Sequence, residues 1–213
     1  MPRRPRRVVP GYPHHLTLRG NNRRRLFSRP TDFLRFLAWL AEALDETSCV
    51  LYALTLMSNH IHGIFEPPDE AALSAFVKSF AQRYALWRNR MRGGSGKLFE
   101  ERFHCTIIEG DEQLAAATAY DDLNPTRAGM VADALDYPWS TYPIHAGAPE
   151  RSRIPVEIWT PSGWYLSLGD TAAERAVAYR DFAMRYEASR REEGRSRESA
   201  KKSERRPDGR RAL

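Results

Sequence analysis

The sequence predicts an α+β fold. Three features of the 213-residue chain carry that expectation: short β-forming runs and amphipathic helical runs alternate, turn residues separate them, and their order is strand, helix, strand, strand, helix, strand, helix. His15-Leu-Thr-Leu-Arg19 reads as the first strand, broken by Gly20-Asn21-Asn22. Pro30-Thr31-Asp32 supplies a helix start, and Phe33, Leu34, Phe36, Leu37, Leu40, Ala41 and Leu44 recur at helical spacing to about Asp45. Cys49 to Met57 is apolar on both faces and rich in β-formers, so it reads as a buried strand; Ser58-Asn59 turns the chain into another, His60 to Glu66. A second helix runs from about Glu70 to Met91, carrying Leu73, Phe76, Val77, Phe80, Tyr84 and Trp87, and Gly93-Gly94-Ser95-Gly96 ends it. Phe103 to Glu109 is a fourth strand. Gly110-Asp111 then opens a helix from Glu112 to about Leu123, which stops before Pro125 because proline disfavours helical backbone in the residue ahead of it. A βαββαβ order points to a ferredoxin-like antiparallel sheet with its helices on one face. A C-terminal helical extension follows, with a helix from about Thr171 to Ala188. The expected division is a core domain over 1–143, a loop and helix extension over 144–188, and a basic, disordered tail over 189–213.

Composition narrows the function classes. Apolar residues make up 42% and charged residues 28%, with a mean hydropathy of -0.59, which describes a globular interior under a heavily solvated surface. No apolar run approaches the roughly 20 residues that a spanning helix needs. The opening Met-Pro-Arg-Arg-Pro-Arg-Arg leads into no apolar segment of the signal-peptide type, so the expected location is the cytoplasm. Cys49 and Cys105, the two cysteines, lack disulfide or metal-site spacing and read as ordinary small core residues. The net charge of +6 is mostly arginine, whose guanidinium forks onto phosphate oxygens, and nucleic acid is therefore the expected partner. Arginines cluster at Arg3, Arg4, Arg6 and Arg7 and again at Arg19, Arg23, Arg24 and Arg25.

Two constellations can carry chemistry. His60 and His62 sit two apart in a strand, so both side chains leave one face while Ile61 points to the other. Two imidazoles so placed can ligate one divalent ion, although a bare His-X-His triplet fits inert sheet histidines at least as well. Tyr120 and Asn124 are four apart in the helix after the last strand and share a helical face. A phenol with a pKa near 10 holds little phenolate at neutral pH, and a neighbouring cation stabilises the charged form; Asn124 offers an oxygen ligand for such a cation. Taken without the histidines, the usual reading of Tyr120 is a half-buried aromatic and of Asn124 a helix C-terminal residue before a turn. Tyr84 is a competing nucleophile, but its spacing with Phe80 and Trp87 favours a core or base-stacking role.

Several ordered motifs go further. Met57-Ser-Asn-His-Ile-His62 followed by Gly-Ile-Phe-Glu-Pro67, then Leu98-Phe-Glu-Glu-Arg-Phe103, Tyr120-Asp-Asp-Leu-Asn-Pro-Thr-Arg-Ala-Gly-Met-Val131 and Asp136-Tyr-Pro-Trp-Ser-Thr-Tyr142 resemble the HUH single-tyrosine transposases, the IS200-like superfamily. The nearest resemblance is to the REP-associated tyrosine transposases. Gly20-Asn21-Asn22-Arg23 resembles their early Arg-Gly-Asn-Arg segment, and Leu168-Gly-Asp with Tyr179-Arg-Asp-Phe182 their C-terminal helix, so the likeness spans roughly residues 8 to 186. It implies Mg2+ or Mn2+ on His60 and His62, Asn124 as the third ligand, and Tyr120 as the nucleophile. Three positions depart from the commoner pattern: Thr126 after the proline, Asp121-Asp122 after the tyrosine, and Asn59 before His60.

The expected activity is metal-dependent nicking and transfer of single-stranded DNA through a 5′-phosphotyrosine, with the 1–143 domain catalytic. The resemblance implies imperfect palindromic hairpins flanking a short tetranucleotide as substrates. Arg19, Arg23, Arg24, Arg25, Arg83, Arg88 and Arg102 are candidates for gripping the backbone, and Trp87, Phe99 or Trp139 for stacking unpaired bases. The expected assembly is a monomer or homodimer. The competing readings are a noncatalytic hairpin-binding or regulatory protein on the same fold and a metal-dependent hydrolase unrelated to DNA.

Overall fold

Four strands, β1 (His14–Arg19), β2 (Val50–Leu56), β3 (His60–Glu66) and β4 (His104–Ile107), form one antiparallel sheet in the order β2-β3-β1-β4 in a computed structural model that describes residues 7–100 and 102–204. The chain reaches this order by a hairpin between β2 and β3 and by two crossovers, through α1 (Pro30–Thr47) and α2 (Ala72–Arg92). This is the ferredoxin-like α+β arrangement expected from the sequence. Side chains alternate across a strand, so Leu16 and Leu18 of β1 and Ile61 and Phe65 of β3 face α1 and α2, and they share one core with Phe36, Leu40, Phe76 and Phe80. Each such fully buried apolar side chain contributes about 1.5–3 kcal/mol. Cys49 is buried and Cys105 half-buried, in keeping with small residues that pack in or against that core.

The opposite sheet face carries the site. It is covered by α3 (Asp111–Asp122), whose Leu114 packs with Ala53 of β2, Ile64 of β3 and Ile108. The helix stops where Pro125 withholds its N–H, and a short helix α4 (Asn124–Arg127) begins at once. The ending differs in detail from the expectation of one continuous helical face through Asn124: Tyr120 lies in α3 and Asn124 opens α4.

The C-terminal extension contains α5 (Tyr142–His145), α6 (Gly163–Leu166) and the long α7 (Ala172–Glu204). Tyr142, Tyr165 and Tyr179 from these helices form a second apolar cluster with Ala119 and Leu123 at the end of α3. Helix α7 corrects one expectation, since it continues beyond Ala188 into the stretch read as disordered. Charged residues there are good helix formers, and Glu187 with Arg191, 3.1 Å apart at i,i+4 spacing, adds local support. The arginines at positions 3, 4 and 6 and residues 205–213 lie outside the described residues. Among the described residues no helix is long and apolar enough to cross a membrane.

Candidate active site

Strand register assembles the site. In the β1/β3 ladder Thr17 lies opposite His62, Arg19 opposite His60 and His15 opposite Ile64, which puts His15, Thr17, Arg19, His60 and His62 on the α3 side of the sheet. The rings of His60 and His62 are 4.8 Å apart and nearly perpendicular, at 81°. His60 Nδ1 lies 2.6 Å from Asn59 Oδ1, and Asn59 Nδ2 donates to the carbonyl of Arg23 at 3.3 Å. Because the amide nitrogen is the donor, the amide oxygen is the acceptor; Nδ1 of His60 therefore carries the proton and Nε2 the lone pair.

Helix α3 brings two side chains onto this face. The Tyr120 ring is 5.7 Å from the ring of His62 and 6.2 Å from that of His15, edge-on to both. Arg127 of α4 lies over the same phenol at 4.4 Å and its guanidinium donates to the Tyr120 carbonyl. Arg127 thus caps the end of α3 and fixes the ring. Asp121, fully buried, accepts from His15 Nε2 at 2.8 Å, and its Oδ1 is 3.6 Å from His62 Nδ1. The donor atoms of His15, His62 and Asp121 all lie within 4.8 Å of one another, and so a second donor set shares His62 with the predicted one. Asn124 is half-buried, with Nδ2 enclosed and without a hydrogen-bond partner among the described residues.

The electrostatics separate the histidines. Burial, reinforced by the neighbouring His60, His15, Arg19 and Arg127, pushes His62 down to about 3. Burial and Arg19 also lower His60, so both members of the triplet are neutral and available as ligands at neutral pH. His15 goes the other way: burial works to lower it, but the charge and hydrogen bond of Asp121 outweigh that and raise it. Burial raises Asp121, with His15 opposing.

The predicted DNA contacts divide in two. Arg19, Arg23, Arg24, Arg25 and Arg102 are exposed, and Arg19 and Arg102 line a cavity of about 180 Å3 with Thr17, Glu100 and His104 beside the site. The loop bearing Arg23 to Arg25 is bolted to the start of β3, since Leu26 N donates to the Ser58 carbonyl at 2.8 Å and Gly20 N to that of Asn59 at 2.8 Å. Gly20 is required there: a Cβ would come 2.2 Å from the carbonyl oxygen of Arg24. Arg83 and Arg88 instead hold the fold together. Arg83 bridges Glu42 and Glu46 of α1 at 2.6 Å each, and Arg88, 5% exposed, donates to the Leu26 carbonyl at 3.0 Å. Trp87 packs on Tyr84 and Trp39, and Trp139 stacks on Phe33 at 4.4 Å; each is half-buried and leaves part of its ring open. Phe99 is half-buried against the main core. Tyr84 is fully buried, and its hydroxyl donates to the Leu26 carbonyl at 2.7 Å, a core role.

A family model described as IS200-like transposase matches residues 9–120, more than half of the chain, and spans His15, His60, His62 and Tyr120. The chain belongs to the IS200-like transposase family. Among solved structures, the transposase is similar to a REP-associated tyrosine transposase bound to a REP hairpin, at 19% identity over 76% of this chain and 93% of that one, with a TM-score of 0.54. A candidate transposase from Deinococcus radiodurans is also similar, at 17% identity over 60% of this chain and 92% of that one, with a TM-score of 0.38. No curated protein sequence matches the chain. Sequence reasoning missed His15, Asp121 and Arg127. The signals were present, in an outward position on β1 and in an acid directly after Tyr120, but only the strand register and the turn into α4 bring them to the triplet.

Proposed function

We propose that this transposase cuts and rejoins single-stranded DNA at hairpin-forming sequences, with Tyr120 as nucleophile and Mg2+ or Mn2+ held by His60, His62 and Asn124. The observation that carries the reading is the Tyr120 ring 5.7 Å from His62, which is itself 4.8 Å from His60. The donor types fit such an ion: two neutral imidazoles, with the amide oxygen of Asn124 as the third ligand. When bound, the ion supplies Lewis-acid polarisation of a phosphate oxygen.

The protein groups do the rest. Tyr120 Oη attacks phosphorus in line; the new bond to Oη forms as the bond to the 3′ oxygen breaks, the phenolic proton passes to solvent, and the 3′ oxygen takes up a proton and leaves as a hydroxyl. A 5′-phosphotyrosine remains. It conserves the phosphodiester energy, so a second 3′-hydroxyl reverses the step and joins strands. Arg127 holds the phenol from one side and places positive charge over its ring. The fold likeness to a protein solved on a hairpin supports a hairpin ligand, and a cytoplasmic monomer or homodimer is the form we propose.

The test is a labelled single-stranded hairpin incubated with the protein and Mn2+, followed by a denaturing gel. A shifted covalent band that vanishes with EDTA, and a phosphotyrosine mapped by mass spectrometry to Tyr120, are the expected results. Hairpin binding with no covalent band would instead favour a noncatalytic binding protein. Affinity should also report the division among the arginines. Replacing Arg23, Arg24 or Arg102 with alanine should lower the slope of log K against log[salt] by about 1 each, as for a lost phosphate contact. Arg83→Ala should leave that slope unchanged and destabilise the fold only slightly, because its two ion pairs are surface-exposed and solvent-screened.

A further inference from the structure

We infer that His15 and Asp121 are positioning residues which, with Thr17, hold the His62 imidazole with Nδ1 turned into the protein and Nε2 turned outward as the metal-binding atom. The inference rests on the proposed metal role of His62 and goes beyond it, since nothing in the triplet itself decides which nitrogen of that ring is available. For His60 the choice is made by Asn59, within the same turn. For His62 the partners come from two other elements.

Three polar atoms surround His62 Nδ1: Thr17 Oγ1 at 3.3 Å, His15 Nε2 at 3.4 Å and Asp121 Oδ1 at 3.6 Å. Its Nε2 has no hydrogen-bond partner among the described residues. The His15 ring lies parallel to the His62 ring, at 11° and 5.6 Å between centroids, which limits rotation of His62 from that side. His15 is in turn held by the 2.8 Å bond from Nε2 to Asp121 Oδ1. With the His15 proton directed to the carboxylate, a proton on His62 Nδ1 meets Thr17 Oγ1 within hydrogen-bond distance and faces the negative charge of Asp121 Oδ1 just beyond it. The carboxylate also has acceptor capacity to spare. Its Oδ2 is enclosed and has no hydrogen-bond partner among the described residues, an arrangement that burial disfavours. A carboxylate behind an imidazole fixes the tautomer, aims the ring and raises its basicity toward a metal at the far nitrogen. Asp121 follows Tyr120 directly, so the same turn of α3 presents the nucleophile and orients the ligand.

Two measurements on the full-length protein test this. In metal-free protein with 15N-labelled histidine, long-range 1H–15N spectra should show His62 as the Nδ1–H tautomer; Asp121→Ala should convert it to a mixture or to the Nε2–H form, with Asp121→Asn, which keeps an acceptor oxygen and the volume, in between. Mn2+ titration by calorimetry should show affinity lowered by about 10–100-fold in Asp121→Ala and His15→Ala, as for lost outer-shell partners, against loss of binding in His62→Ala. If Asp121→Ala and Asp121→Asn leave both the tautomer and the affinity as in the wild type, the positioning role is overturned. If His15→Ala and Asp121→Ala abolish binding as completely as His62→Ala, these side chains are ligands, and the inference is overturned in that direction. A wild type that binds no Mn2+, or binds it equally well after His60→Ala and His62→Ala, would instead remove the proposed metal site, while the tautomer spectrum still decides the role of Asp121.

Discussion

Tyr120→Phe is expected to eliminate the covalent DNA adduct and to lower strand cleavage by at least about a thousandfold, on the scale seen when a covalent catalyst loses its attacking group. The substitution removes one oxygen and little else. The phenyl ring keeps its place under the Arg127 guanidinium, 4.4 Å from the ring centre, and its edge contacts with His62 and His15. Hairpin affinity and thermal stability should therefore stay within experimental error of the wild type, which separates a chemical role from a folding one. Tyr84→Phe is the matching control. Its hydroxyl donates to the Leu26 carbonyl, which Arg88 also serves at 3.0 Å, so the variant should lose about 1 kcal/mol of stability and keep the adduct. An adduct retained by Tyr120→Phe and lost by Tyr84→Phe would reverse the assignment.

The parts of this site legible in the sequence are those fixed by local periodicity. Strand alternation alone aims His60 and His62 to one face and Ile61 to the other, and helical spacing places Tyr120 near the end of α3. What stayed hidden depends on pairings between distant segments. His15 and Thr17 join the site only because β1 runs antiparallel to β3 in a register that sets Thr17 against His62, and a shift of one residue would have sent both to the other core. The arginines show the same limit. As basic side chains Arg83 and Arg88 read like Arg23 and Arg24 in the sequence, yet Glu42, Glu46 and the Leu26 carbonyl claim them from α1 and the loop before it. The motif pattern carried the fold and the triplet; the tertiary contacts carried the division between arginines that hold the protein and those that stay exposed.

The C-terminal extension supplies the other large effect. Asp122, the residue after Asp121, is fully buried. It accepts from Thr141 Oγ1 at 3.0 Å, from His145 Nδ1 at 2.7 Å and from the Tyr179 hydroxyl at 2.6 Å. His145 Nε2 in turn accepts from the Trp159 indole at 3.2 Å. One carboxylate thus ties the end of α3 to α5 and α7. Asp122→Ala would leave the enclosed His145 and Tyr179 donors without this acceptor, while the Thr141 hydroxyl can turn to the Leu54 carbonyl at 3.3 Å, and the expected loss is about 3–5 kcal/mol, several times that of any exposed ion pair here. For a chain of this size that corresponds to a melting temperature lower by roughly 10 °C, measurable by scanning calorimetry. Tyr179→Phe removes one donor of the three and should cost only about 1–2 kcal/mol. A loss below about 1 kcal/mol in Asp122→Ala would mean that the network is not a brace. Because Tyr120 and Asp121 immediately precede Asp122 on the last turn of α3, loosening this anchor should also disturb the phenol and the His15 contact on the opposite side of the same turn. Cleavage in Asp122→Asn, which keeps the volume and one acceptor, should then fall further than its stability loss explains at temperatures where the protein remains folded.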